Sequence, residues 1–227
     1  MQIDLHTTSA RRRAAAALTA GPAVIVAGMA TTTWESEQTT AAYQAALAST
    51  PTKSQVAALL LVLGYALMGL AAIAVLAYAR RAPRGLRIAA GVLAFFGATF
   101  LPGMVTVDFY DLAVATSLPA DQAVEVADKA QSYGLLALAS VPGVAGLVLG
   151  SVLLGACAWR ARLVGAWVPA LILAGLVGSF AAFSAAGMIA GTALMAIAFA
   201  GIARGVLRHG EDAPARVVAP APVAVTA

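Results

Sequence analysis

The sequence of 227 residues has few charged side chains, two histidines and one cysteine. Charged residues make up 11% of the chain, against roughly 25% in a soluble globular domain. The single cysteine, Cys157, excludes an intrachain disulfide framework. Because it lies inside an apolar run, we interpret it as a small buried hydrophobic residue. The histidines, His6 and His209, lie near the two termini, so a pair of intramembrane haem ligands is absent.

Sequence signatures of several enzyme classes are also missing. The chain has no zinc-protease, P-loop or dinucleotide motif, and a serine nucleophile in the membrane would lack a histidine or lysine base. No Asp, Glu, Lys, Arg or His falls within the apolar runs, where proton-driven carriers, pumps and voltage sensors usually need an ionisable group. We therefore expect a protein without catalytic residues, metal or cofactor.

Long uncharged runs take the place of these features, and 61% of the chain is hydrophobic. About 20 helical residues cross a hydrocarbon core of about 30 Å. The final run, 163–203, is about twice that length and must fold back, most easily at Ser184–Gly187. The fold class is therefore all-α, a polytopic transmembrane bundle of six helices. The spans are predicted at about 14–30, 56–79, 88–107, 135–158, 163–183 and 187–203.

The two ends of the chain are predicted to lie outside the bundle. Residues 1–13 form a polar leader, and residues 209–227, with three prolines, are expected to be a disordered tail. The run 14–30 follows three arginines and also resembles a signal peptide. We favour a retained helix, because the run exceeds the usual apolar core of a signal peptide and gives an even number of spans.

Two short amphipathic helices are predicted between the spans. The first covers Ala41–Ser49 and ends before Pro51, which cannot continue it. The second follows Pro119 and extends to Ala130, within a polar loop expected over 108–134. Pro102 and Pro142 flank this loop and are interpreted as marking helix ends. Both short helices are expected to lie on the outer face of the membrane.

Arginine determines the predicted orientation. All twelve arginines fall on one assigned side of the membrane and both lysines on the other, so the inside-positive rule places both termini in the cytoplasm. We expect a multi-pass plasma-membrane protein whose cytoplasmic arginines contact anionic lipids of the bilayer. The arginines flank apolar runs instead of covering one solvated face, which argues against a nucleic-acid partner. A homo-oligomer or a membrane partner protein stays open.

Small residues and a faint repeat suggest how the helices pack. Gly146 and Gly150, Gly187 and Gly191, and Gly201 and Gly205 are each four residues apart, a spacing that lets helix backbones approach closely. Packing within the bundle is favoured over a dimer face. A shift of 80 residues aligns Arg80 with Arg160, the second span with the fourth and the first span with the third, which suggests a duplication.

Two groups of polar residues are candidates for a binding site. Asp108, Tyr110 and Asp111 form an outer-rim group in which the two carboxylates share a helix face and could hold a cation; the alternative is a solvated helix end. Tyr65, Thr99, Ser140 and Ser151 are candidates for a polar lining within the membrane. A transporter would need such a lining to reach the middle of the bilayer.

Several segments resemble a group of multi-span membrane proteins of high-GC Gram-positive bacteria. The resemblance lies in Ala45–Ala48 through Pro51, Arg80-Arg81-Ala82-Pro83, Asp108-Phe109-Tyr110-Asp111-Leu112-Ala113 and Trp167-Val168-Pro169. It implies a six-helix architecture and no particular activity. We expect a non-enzymatic integral membrane protein, either an accessory protein or a binder of a lipid or another hydrophobic ligand. A carrier or channel for a small neutral or hydrophobic solute is the alternative, and a membrane-embedded enzyme comes third.

Overall fold

The computed structural model describes residues 7–35, 37–182 and 184–208. Over these ranges the chain is all-α and contains no strand. The helices are α1 (Thr8–Thr31), α2 (Thr40–Ser49), α3 (Pro51–Tyr78), α4 (Arg84–Ser117), α5 (Ala120–Gln131), α6 (Leu135–Arg160), α7 (Trp167–Ala182) and α8 (Ala185–Arg208). The predicted fold class, six longer helices with two short ones, is confirmed.

The six longer helices form a closed ring that follows the order of the chain. α1 packs on α3, α3 on α4, α4 on α6, α6 on α7, α7 on α8, and α8 returns to α1. Because consecutive helices alternate in direction, the described arginines gather at one end of the ring, here called the arginine end. The described carboxylates gather at the opposite, acidic end, where α2 and α5 pack on α4.

The surface of the ring is apolar. Ile73, Phe95 and Leu138 are each more than 60% exposed, although large apolar side chains are normally buried in a protein surrounded by water. α1, α3, α4, α6 and α8 are long and apolar enough to cross a membrane, whereas the 16 residues of α7 reach only about 24 Å. The chain is therefore an integral membrane protein with a helical bundle embedded in lipid.

The largest difference from the sequence prediction is in α4. This helix continues to Ser117, ten residues beyond the predicted span, so the expected loop over 108–134 is wrong in its first part. Leu112 is buried in the extension, which supplies an apolar contact for the added turns. Pro102 and Pro142 lie inside α4 and α6, so the interpretation that they mark helix ends is wrong. Neighbouring helices stabilise such prolines in a membrane bundle.

The other helix boundaries shift by a few residues. α1 starts at Thr8, where the Thr7 hydroxyl accepts a hydrogen bond from the Ala10 N–H. α3 begins at Pro51, because proline suits the first position of a helix. The fold-back precedes α8, which the Ser184 hydroxyl caps by accepting from the Gly187 N–H. The predictions for 1–6 and 209–227 lie outside the described residues.

Glycines form the contacts between neighbouring helices, as expected for packing within the bundle. At the α4–α6 crossing, Gly97 and Gly146 bring the two backbones together; a Cβ on Gly97 would lie 2.8 Å from the Leu147 nitrogen. Gly191 meets Gly175 and Ser179 of α7 in the same way. No side chain fits between these helices, so glycine sets their separation.

Candidate functional site

The outer-rim group is built around a tyrosine that the sequence analysis did not include. Asp108 and Asp111 share one face of the α4 extension, and the Tyr43 hydroxyl of α2 is within hydrogen-bonding distance of both. It lies 3.2 Å from Asp108 Oδ1 and 3.5 Å from Asp111 Oδ2. Tyr110 is 71% exposed and is not part of this cluster. The structure therefore brings the two predicted carboxylates together and replaces Tyr110 with Tyr43.

Burial changes the titration of this cluster. With 34 residues, α4 is about 51 Å long and must extend beyond a hydrocarbon core of about 30 Å; the carboxylates lie on this extension. Desolvation raises the pKa of Asp108 to about 6, and repulsion by Asp111 adds to it, while the hydrogen bond from Tyr43 opposes the rise. Desolvation also raises the pKa of Asp111. Burial and both carboxylates raise the pKa of Tyr43, so its hydroxyl keeps its proton and acts as the donor.

Further contacts hold the two short helices over α4. The Thr40 hydroxyl of α2 donates to Asp128 Oδ1 of α5 at 2.6 Å. Gln44 is 4% exposed, and neither polar atom of its side chain has a hydrogen-bond partner. The bonds of Tyr43 to the α4 carboxylates and of Thr40 to Asp128 therefore link α2 to α4 and α5, while the Gln44 amide adds no hydrogen bond to this contact.

The four candidate lining residues do not form one polar path. Tyr65 and Ser151 line a cavity of about 10 Å³ between α3, α4 and α6, which has room for about one water molecule. Thr99 is exposed on the outside of α4 and does not line this cavity. Ser140 is half-buried elsewhere on α6. The structure therefore brings together two of the four residues.

A larger cavity lies at the arginine end, beside the turn that follows α6. The Leu163 N–H donates to the Ala158 carbonyl at 3.0 Å, and the Arg162 N–H donates to the Trp159 carbonyl at 2.8 Å. This pair of bonds is a Schellman motif, which requires a left-handed residue, usually glycine, just after the helix. Arg162 takes that position with φ 62°. The motif turns the chain sharply and leaves Leu163 buried.

The connection 161–166 then packs against the last turns of α8. A Cβ on Gly205 would overlap the Leu163 carbonyl oxygen, and a Cβ on Gly201 would lie 2.5 Å from Cη2 of Trp167. The two glycines therefore make room for the connection, and a cavity of about 690 Å³ remains between it and α8. Its lining comprises Arg162, Leu163, Val164, Gly165, Trp167, Ala200, Gly201, Arg204, Gly205 and Arg208.

A second arginine-lined cavity adjoins the first. It has a volume of about 380 Å³ and is lined by Arg81, Pro83, Trp159, Arg160 and Arg162. Each cavity thus combines three arginines with one tryptophan, and Arg162 lines both. Guanidinium groups are suited to phosphate, which they bind through paired hydrogen bonds. The lining is therefore chemically suited to phosphate groups, and tryptophan usually lies at headgroup depth in a membrane.

Other arginines at this end bond to the protein itself. Arg11 Nη1 donates to the Leu207 carbonyl at 3.2 Å, linking α1 to α8. Arg87 Nη2 donates to the Leu76 carbonyl at 3.3 Å, linking α4 to α3. The sequence analysis treated all arginines alike, as topology signals and lipid contacts. Only the structure separates those that bond to helix carbonyls from those that line a cavity.

Neither metal-ligand geometry nor similarity to known proteins assigns a function to these residues. Within the described residues, no three His, Cys, Asp or Glu side chains are placed to hold a metal ion. No family model matches the chain, and no match was found among curated proteins or solved structures.

Proposed function

We propose that this integral membrane protein is a non-enzymatic binder of anionic lipid, with its ligand site at the arginine end. The observation that carries the proposal is the cavity of about 690 Å³ lined by Arg162, Arg204, Arg208 and Trp167. A cavity of several hundred Å³ has the size of a small-ligand site. Basic pockets between membrane helices are suited to acidic lipid headgroups.

The charge distribution supports this proposal. All carboxylates of the described residues belong to the acidic end, so none of them neutralises the arginines of the cavity. Each basic side chain near an anionic membrane surface contributes about 1 kcal/mol to binding. In the orientation expected from the inside-positive rule, the cavity faces the cytoplasmic leaflet of the plasma membrane, where anionic lipids are available.

The interior of the ring favours binding at the end over passage of a solute through it. A carrier or channel needs a polar cavity that reaches the middle of the membrane. The cavity at Tyr65 and Ser151 has a volume of about 10 Å³, and Thr99 does not contribute to it. We therefore rank lipid binding above the carrier alternative.

The test is to identify the lipid that stays bound to the purified protein. We expect native mass spectrometry in detergent to detect bound phosphatidylglycerol after mixing with equal amounts of phosphatidylglycerol and phosphatidylcholine. The double variant Arg204→Gln/Arg208→Gln removes two charges and should lower the affinity by about thirtyfold, because 1.4 kcal/mol corresponds to a factor of ten. Arg84→Gln is the matched control, since Arg84 is exposed at the same end but lines neither cavity. Equal loss in the control, or no preference for the anionic lipid, would refute the proposal.

A further inference from the structure

The two cavities at the arginine end share one side chain. Arg162 lines the cavity of about 690 Å³ with Arg204 and Arg208, and it also lines the cavity of about 380 Å³ with Arg81 and Arg160. We infer that the ligand is a lipid with two phosphate groups, one for each cavity, and that Arg162 binds between them. This inference rests on the proposed lipid binding. A lipid with a single phosphate would leave one set of arginines unoccupied.

The backbone at Arg162 supports a specific role for its side chain. Within the described chain, Arg162 is the only non-glycine residue with a positive φ. Glycine is favoured at this position of a Schellman motif, because a side chain in the left-handed region has a conformational cost. An arginine there is less favourable for the fold, yet it gives the two cavities a basic lining residue in common. Unfavourable backbone conformations of this kind are characteristic of functional sites.

Charge and depth identify the class of ligand. Five arginines line the two cavities, and the described chain supplies no carboxylate at this end. Two phosphate groups therefore balance part of this charge, and each can accept paired hydrogen bonds from a guanidinium. Trp159 and Trp167 are both about half exposed, one beside each cavity. Tryptophan lies preferentially at headgroup level, which favours a lipid over a soluble diphosphate.

The test compares lipids that carry one or two phosphates. For the unaltered full-length protein, native mass spectrometry should show diphosphatidylglycerol binding at least tenfold more tightly than phosphatidylglycerol. A factor of about two is expected when each phosphate acts alone. Arg162→Gly should reduce the preference to that factor while raising or preserving the thermal unfolding temperature, because glycine fits the backbone. Arg84→Gln should retain the full preference.

The outcomes separate this inference from the proposal on which it rests. If neither lipid binds above phosphatidylcholine, the proposed function fails. If both anionic lipids bind but the preference is only twofold, or if Arg162→Gly retains the tenfold preference, the two-phosphate ligand is refuted while lipid binding stands. Inorganic pyrophosphate provides the third arm of the experiment. If equimolar pyrophosphate displaces diphosphatidylglycerol, the inferred lipid is refuted and the ligand of the two cavities is a soluble diphosphate. Arg162→Gln repeats the test without glycine and should also lose the preference.

Discussion

At the scale of single residues, Tyr43 links α2 to α4 at the acidic end: its hydroxyl donates to Asp108 Oδ1 at 3.2 Å and lies 3.5 Å from Asp111 Oδ2. Tyr43→Phe removes this donor and keeps the ring. Hydrogen bonds to charged groups contribute about 1.5–3 kcal/mol when buried, and this cluster is half-buried, so we expect a loss of about 1 kcal/mol. Unfolding by SDS titration measures it. Tyr110→Phe is the control and should change nothing, because Tyr110 is exposed; equal effects would contradict the assigned contact.

The raised pKa of Asp108 predicts how the stability of the folded protein depends on pH. Its pKa rises to about 6 in the folded protein, mainly through burial, from an ordinary value near 3.9. The folded state therefore binds the proton more tightly than the unfolded state does. Its contribution, on the order of 2 kcal/mol, is present in full below about pH 4 and is lost as the pH rises through about 6.

The measurement is the thermal unfolding temperature in detergent between pH 4 and pH 7. The unaltered protein should lose stability across this range, and Asp108→Asn should reduce the slope. Asp121→Asn, in the first turn of α5, is the control and should keep it. A stability that rises with pH in the unaltered protein, or an unchanged slope in Asp108→Asn, would show that Asp108 does not titrate in this way.

Sequence patterns predict the chemistry of individual residues better than they predict which other residues these contact. The spacing of Asp108 and Asp111 indicated a shared face, because residues three apart on a helix are neighbours. The partner Tyr43 lies 65 residues away from Asp108 in the chain, and periodicity within one helix carries no information about such a contact. The same applies to Arg162: its two cavities arise where the end of α6 meets α8 and the α3–α4 turn.

At the scale of helices, close backbone contact determines the α4–α6 crossing. A Cβ on Gly146 would overlap the backbone of Gly97 and Leu93, and neither helix can move without disturbing its other neighbour. We expect Gly146→Ala to destabilise the protein by about 1–3 kcal/mol, the usual cost of overpacking. Gly103→Ala is the matched control on α4, because a Cβ there meets nothing within 4 Å. It should be neutral or stabilise by up to about 1 kcal/mol.

SDS titration of both glycine variants measures the difference. If Gly146→Ala is as stable as Gly103→Ala, the two helices are farther apart than the structure places them. The effect of a glycine-to-alanine change on stability is expected to depend on where the glycine lies in the bundle. The spacing of Gly146 and Gly150 indicated close packing but gave no information about which helix would be the partner.

Hydropathy predicted where helices exist and was less accurate about where they end. The extension of α4 past Val107 carries Asp108 and Asp111, so a criterion based on uncharged residues stopped too early. The helix continues because residues such as Leu112 still pack against neighbours and because Tyr43 of α2 partly covers the two carboxylates and bonds to them. α7 begins at Trp167 instead of 163, because the Schellman motif after α6 uses the intervening residues for a turn.

At the scale of the whole molecule, the order of the helices contains a regularity. α1, α2 and α3 form a long–short–long set, and so do α4, α5 and α6. The long helices of each set pack against each other, and Pro22 and Pro102 occupy corresponding positions in α1 and α4 under the 80-residue shift. α2 and α5 meet at the acidic end. The arrangement is compatible with the duplication that the sequence suggests, with α7 and α8 completing the ring.

Labelling of introduced cysteines tests the predicted orientation directly, because the chain has only one cysteine of its own. Cys157 is fully buried, so a membrane-impermeant maleimide should react with the unaltered protein only weakly in intact cells. Tyr133→Cys introduces a thiol at an exposed position of the acidic end, and Arg84→Cys introduces one at the arginine end. Arginine is retained on the cytoplasmic side during membrane insertion. The thiol at position 133 should therefore react in intact cells, whereas the thiol at position 84 should react only after lysis. The reverse pattern would place the arginine cavities outside the cell, away from the cytoplasmic leaflet from which we expect their lipid to come.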